Sequence, residues 1–131
     1  LKDKNMSNIR ILFVDDDQDL REANAALLKN AGFDVIEADS AAQALEVMGQ
    51  GYDLAVVDLV MEKADSGFSL AFQLKKQAPD KPIVIISDVN DIPGLNFSVN
   101  TPAEKAWIKA DAFIEKPFRF EQLKARIDQL T

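Results

Sequence analysis

Two apolar runs, "DLAVVD" at Asp53–Asp58 and "PIVIIS" at Pro82–Ser87, limit most tightly what this chain can fold into. Neither alternates between apolar and polar positions. A strand with one wet face alternates, whereas a strand covered on both faces is apolar throughout and rich in β-branched residues. Both runs are also too short for an ordinary helix. Three further segments have strand length: Ile9–Val14, Phe33–Glu37 and the short Ala112–Glu115.

Helical patterns fill the intervals. Leu20, Ala23, Leu27 and Leu28 give a stripe that Gly32 brings to a stop. Ser40-Ala41-Ala42-Gln43 reads as a capping box, opening a helix that ends near Gly49–Gly51. Leu70, Ala71 and Leu74 mark a third helix, closed before Pro79, and Thr101-Pro102-Ala103-Glu104 opens a fourth with proline at its first position. Phe120, Leu123, Ile127 and Leu130 carry a fifth to the end of the sequence. Five β–α pairs in succession predict an α/β fold: a doubly wound parallel sheet with right-handed crossovers and helices on both faces. In such sheets ligands collect at the carboxyl ends of the strands.

One domain is expected over 9–131, with residues 1–8 read as a leader or an expression remnant because Met6 could itself be a start. The stretch Asp88–Asn100 has no clear period and is the one long irregular segment. Composition narrows the chemistry. A net charge of −7 argues against a nucleic-acid backbone or an anionic membrane as direct partner and favours a cation or a basic protein surface. The absence of histidine removes histidine bases, histidine metal ligands and phosphohistidine, and the absence of cysteine removes thiolate chemistry and disulfides. No apolar run approaches the ~20 residues of a membrane span.

The polar residues fall where the fold would use them. Strand one ends in Asp15-Asp16, strand three in Asp58, strand four in Ser87 and strand five in Glu115-Lys116-Pro117, so all four ends share one edge of a parallel sheet. Three carboxylates with a hydroxyl and an ammonium, and no softer ligand, point to Mg²⁺ or a similar hard cation. With such an ion bound, one carboxylate is free to attack phosphorus while the lysine and the hydroxyl neutralise the transferred oxygens. Asp17 and Asp19 are read instead as acids at a helix start, where they complement its dipole and cap it.

With "ILFVDDD", "VVDLVM", "IVIISD" and "ADAFIEKPF" the chain resembles the receiver domain of two-component response regulators from about Ile9 to Thr131. The resemblance implies a flavodoxin-like (βα)5 fold with strand order 2-1-3-4-5. It implies Asp58 as phosphoacceptor, with Asp15, Asp16, Asp58 and the backbone carbonyl of Val60 holding Mg²⁺ (or Mn²⁺). Ser87 would be the switch hydroxyl, Lys116 the partner of a phosphoryl oxygen, Pro117 the turn-holder, and Phe113 the aromatic that rotates inward on activation. The implied partner is a histidine kinase or histidine phosphotransfer protein in a bacterial-type cytoplasm, docking on the face of the first helix. Output would pass through the face made by the fourth helix, fifth strand and fifth helix, which can also form a homodimer. Such a protein is no conventional enzyme; it catalyses its own phosphorylation and dephosphorylation at Asp58.

Four departures from the family pattern bear on activity. Glu62 stands where a proline is usual, and Gly67 lies nine residues after Asp58 rather than eight. Asp88 follows the switch hydroxyl where a small residue is usual, which predicts slow self-phosphorylation by small donors. The 88–100 segment is longer than common, and Lys109 replaces a frequent glycine. Two other functions compete: a pseudo-receiver that binds proteins without being phosphorylated, and a phosphohydrolase of the haloacid dehalogenase type. The latter wants Thr or Val where "DDDQD" has Asp19, and it leaves Asp58 without a role.

Overall fold

The computed structural model describes residues 9–58, 66–87, 111–116 and 118–131, with 66–69 described by their backbone alone. Five strands, β1 (Arg10–Val14), β2 (Asp34–Ala38), β3 (Leu54–Asp58), β4 (Ile83–Ser87) and β5 (Ala112–Glu115), pair in parallel in the order β2-β1-β3-β4-β5. Four helices are described: α1 (Gln18–Asn30), α2 (Ala41–Val47), α3 (Ser66–Gln77) and α4 (Phe120–Leu130). The helix expected from Thr101 lies outside the described residues, as does Lys109.

The apolar runs behave as their composition requires. Every residue of β3 and of β4 is buried. Successive side chains leave opposite faces of the sheet, so the interior divides into two layers. Leu12, Val14, Ala55, Val57, Ile83 and Ile85 meet Ala44 of α2 and Leu70 and Leu74 of α3. Ile11, Phe13, Leu54, Val56, Val84 and Ile86 meet Leu28 of α1 and Leu123 and Ile127 of α4. Each Val, Leu, Ile or Phe among these contributes about 1.5–3 kcal/mol by leaving water.

Helix α1 departs from the expected stripe. Leu27 is 44% exposed, Ala23 is exposed as well, and the buried positions are Asn24, Ala25 and Leu28. The helix is turned because Arg21 and Asn24 occupy sheet-facing positions with their polar groups satisfied; the Asn24 amide donates to Leu20 O at 3.0 Å. Its start is the expected one, with Asp17 accepting from Leu20 N at 3.1 Å. Its end uses Gly32 at φ 102°, a left-handed conformation that a side chain would strain. The capping box of α2 forms with one change of partner. Ser40 Oγ accepts from Gln43 N at 3.1 Å, but Gln43 Oε1 accepts from Asp39 N at 2.7 Å, one residue before the cap.

At the amino ends of the strands polar groups are tied pairwise. Asp53 Oδ2 accepts from Arg10 N at 2.8 Å, and the Arg10 guanidinium donates to Gln50 O at 3.1 Å. Asp111 Oδ2 accepts from Ile83 N at 2.8 Å and from Lys75 Nζ at 2.8 Å. Lys81 Nζ donates to Tyr52 O and stands 5.0 Å from the centre of the Tyr52 ring. Among the described residues, no helix is long and apolar enough to cross a membrane.

Candidate functional site

The parallel sheet delivers Asp15, Asp16, Asp58, Ser87 and Lys116 to one edge. Asp15 extends β1 by one rung, its N–H donating to Ala38 O at 3.0 Å. The chain then turns into α1, with Asp17 N donating to Asp15 Oδ1 at 2.9 Å. Asp58 is the last residue of β3, paired with Ile86, and is 3% exposed. Ser87, the last residue of β4, is fully buried. Lys116 follows β5; its N–H donates to Ser87 O at 2.8 Å, and its Nζ lies 3.4 Å from Asp58 Oδ2. Asp16 is exposed at the mouth.

One carboxylate oxygen from each of Asp15, Asp16 and Asp58 lies within 4.8 Å of the others. Asp15 and Asp58 are both buried, and like charges at such a separation repel by about 3 kcal/mol at an effective dielectric of 20. For Asp15 the dominant influence is desolvation. Burial pushes its pKa above the ordinary 3.8; the Asp17 N–H, the adjacent Asp58 side chain and the Lys116 charge pull it down without cancelling the rise, and the Asp16 charge adds to it. Among the described residues, Asp15 Oδ2 is buried with no hydrogen-bond partner. A buried carboxylate oxygen left unsatisfied beside two further carboxylates is costly unless a cation completes it. Three hard oxygen donors with no nitrogen or sulfur among them fit a divalent ion of the Mg²⁺ type.

The sequence reading therefore names five residues that the structure brings together. Phe113 is half-buried on β5, opposite Ile85 and packed against the cluster beneath α2 and α3. Val60, Glu62, Asp88 and Pro117 lie outside the described residues. One contributor escaped the sequence reading. Arg21 of α1 donates from Nη1 to Asp15 O at 2.8 Å and from Nε to Glu37 Oε1 at 3.1 Å. A basic residue breaking the apolar phase of α1 beside Asn24 was its only signal.

The chain is similar to known proteins over most of its length. The family model described as the response regulator receiver domain matches residues 11–128. The probable transcriptional regulator ycf27 of Porphyridium aerugineum is 35% identical over 127 residues, covering 93% of this chain and 48% of that protein. The transcriptional regulatory protein CpxR of Escherichia coli K12 is 30% identical over 122 residues, covering 90% of this chain and 47% of that protein. The chain thus spans about half the length of these curated relatives. Among solved structures, the response regulator protein TrrA of Thermotoga maritima, in complex with Mg(2+)-BeF, superposes with a TM-score of 0.76 at 27% identity, covering 94% of this chain and 99% of that one.

Proposed function

Because the chain belongs to the response regulator receiver domain family of two-component signalling, we propose that it is a phosphoacceptor switch in which Asp58 takes a phosphoryl group in a Mg²⁺-dependent step. The observation that carries this reading is Asp58 itself: a buried strand-end carboxylate with Lys116 Nζ at 3.4 Å and Asp15 and Asp16 within reach of a shared cation. Receiver domains are phosphorylated by histidine kinases, and a histidine kinase or histidine phosphotransfer protein is the partner proposed here.

An Asp58 oxygen attacks phosphorus; the new O–P bond forms as the N–P bond to the donor histidine breaks, and the imidazole nitrogen leaves with the electron pair. Asp15, Asp16, Asp58 and the Val60 carbonyl would hold Mg²⁺, which would supply positive charge to offset that of the transferring group. Lys116 pairs with a phosphoryl oxygen in place of its present contact with Asp58. Asp15 stays fixed by Asp17 N and Ala38 O, so its carboxylate needs no reorganisation to serve. Ser87 hydrogen-bonds the acyl phosphate and draws β4 toward it, Phe113 follows, and the surface built on β5 and α4 changes its preferred state, including its tendency to pair with a second copy. Water then cleaves the acyl phosphate and resets the site.

The test is acetyl phosphate with Mg²⁺, read by phosphate-affinity electrophoresis and mass spectrometry. A single label on the wild type, lost to background in Asp58→Asn, is the expected outcome. No label and no Mg²⁺ binding would favour the phosphorylation-independent pseudo-receiver instead, and steady phosphate release from monoesters would favour the hydrolase.

A further inference from the structure

We infer that Arg21 is a positioning residue for the cation site, holding the peptide that joins Asp15 to Asp16 so that both carboxylates address one ion; the inference rests on the function proposed above. Its Nη1 donates to the Asp15 carbonyl at 2.8 Å, and that oxygen belongs to the peptide plane between the two acidic residues. Rotating this plane swings the two side chains relative to each other. Its Nε meets Glu37 Oε1 of β2 at 3.1 Å, with side-chain exposures of 13% for Arg21 and 30% for Glu37. The guanidinium therefore spans α1, the turn carrying the acids, and β2. A planar fork with several donors does this without the freedom of a flexible ammonium.

The charge arithmetic separates this role from that of a counter-ion. Glu37 takes the positive charge of Arg21, whereas Lys116 faces Asp58. Arg21 thus contacts the acidic turn through a neutral carbonyl and leaves the carboxylate oxygens open. The remaining contacts of the turn agree with such a brace: Asp15 N is tied to Ala38 O at 3.0 Å, and Arg21 N to Asp17 O at 2.9 Å. Without the guanidinium the Asp15 carbonyl loses its donor, and the turn is held from the β2 side and by Asp17 alone. Contacts that orient a metal ligand characteristically cost about 10- to 100-fold in affinity when removed.

The experiment is calorimetric titration of metal-stripped protein with Mg²⁺ alone, on wild type, Arg21→Met and Arg21→Lys, with urea unfolding of each in chelator. Arg21→Met is expected to bind Mg²⁺ about tenfold more weakly. Its acetyl phosphate labelling should fall at low Mg²⁺ and return at saturating Mg²⁺, a split that simple loss of stability does not produce. Arg21→Lys keeps the charge but reaches one acceptor at a time, so it should fall between the two. Unchanged Mg²⁺ affinity in Arg21→Met, with only a lower unfolding midpoint, overturns the inference while leaving Asp58 as phosphoacceptor. Should Arg21→Met fail to fold, wild-type affinity in Arg21→Lys overturns it equally. A wild type that neither binds Mg²⁺ nor takes label overturns both.

Discussion

The two edges of the sheet hold similar residues in opposite condition. At the amino edge, Asp53 and Asp111 each accept a backbone N–H, and Asp111 also meets Lys75. At the carboxyl edge, Asp15, Asp16 and Asp58 crowd one another, Asp15 keeps a buried oxygen with no partner among the described residues, and Lys116 approaches Asp58 at 3.4 Å. The first edge uses acids to close the fold. The second gathers three carboxylates together, two of them buried, so the fold bears a desolvation cost there. Local instability concentrated at one edge marks the functional end of the molecule more clearly than the identity of any one residue.

The largest effect should come from opening the satisfied edge. Asp111→Ala leaves the N–H of Ile83, a residue only 1% exposed, without its acceptor, and should destabilise the protein by about 2 kcal/mol in urea unfolding. Mg²⁺ affinity should be unchanged; a large drop would mean that the two edges are coupled. A smaller effect of opposite sign is expected at the other edge. Asp15→Asn removes a buried charge at nearly constant volume and should stabilise the chelator-treated protein by about 1 kcal/mol at neutral pH, while weakening Mg²⁺ binding.

The pH dependence sharpens this contrast. Folded Asp15 titrates above its ordinary 3.8, so between 3.8 and its raised value the folded state holds more proton than the unfolded state. The wild type should therefore lose stability as pH rises through that window, and Asp15→Asn should lack that segment of the curve. Below 3.8 the charge-dependent part of the gap should close. Unfolding midpoints in chelator across a pH series measure both. The smallest effect concerns the exception at the amino edge: the Tyr52 hydroxyl is buried without a hydrogen-bond partner among the described residues. Tyr52→Phe should be neutral or stabilising by up to about 1 kcal/mol, and a clear loss in thermal unfolding would reveal a partner.

Much of this was legible in the sequence because a parallel sheet turns strand ends into neighbours. Asp15, Asp58, Ser87 and Lys116 are far apart in the chain, yet each directly ends or follows an apolar run, and the strand order places those ends side by side. Periodicity served less well on α1. Of the expected stripe Leu20, Ala23, Leu27 and Leu28, only Leu28 is fully inside, and Asn24 and Ala25 join it there. Polar groups that find partners can occupy an inner face, and hydropathy alone does not credit them. Arg21 was hidden for a related reason: one of its acceptors is a backbone carbonyl, which every residue has and no pattern marks. Gln43 reached past Ser40 to Asp39 for the same want of side-chain information.

Asp58 is a rung of the ladder and not a residue of a loop: β3 is bonded to β1 on one side, and Asp58 itself is in register with Ile86 on the other. Its position is set before the chain leaves the sheet. The nine-residue spacing to Gly67 begins only after this rung. A sheet built this way lets the segments that follow each strand be rewritten while the strand-end carboxylate stays anchored.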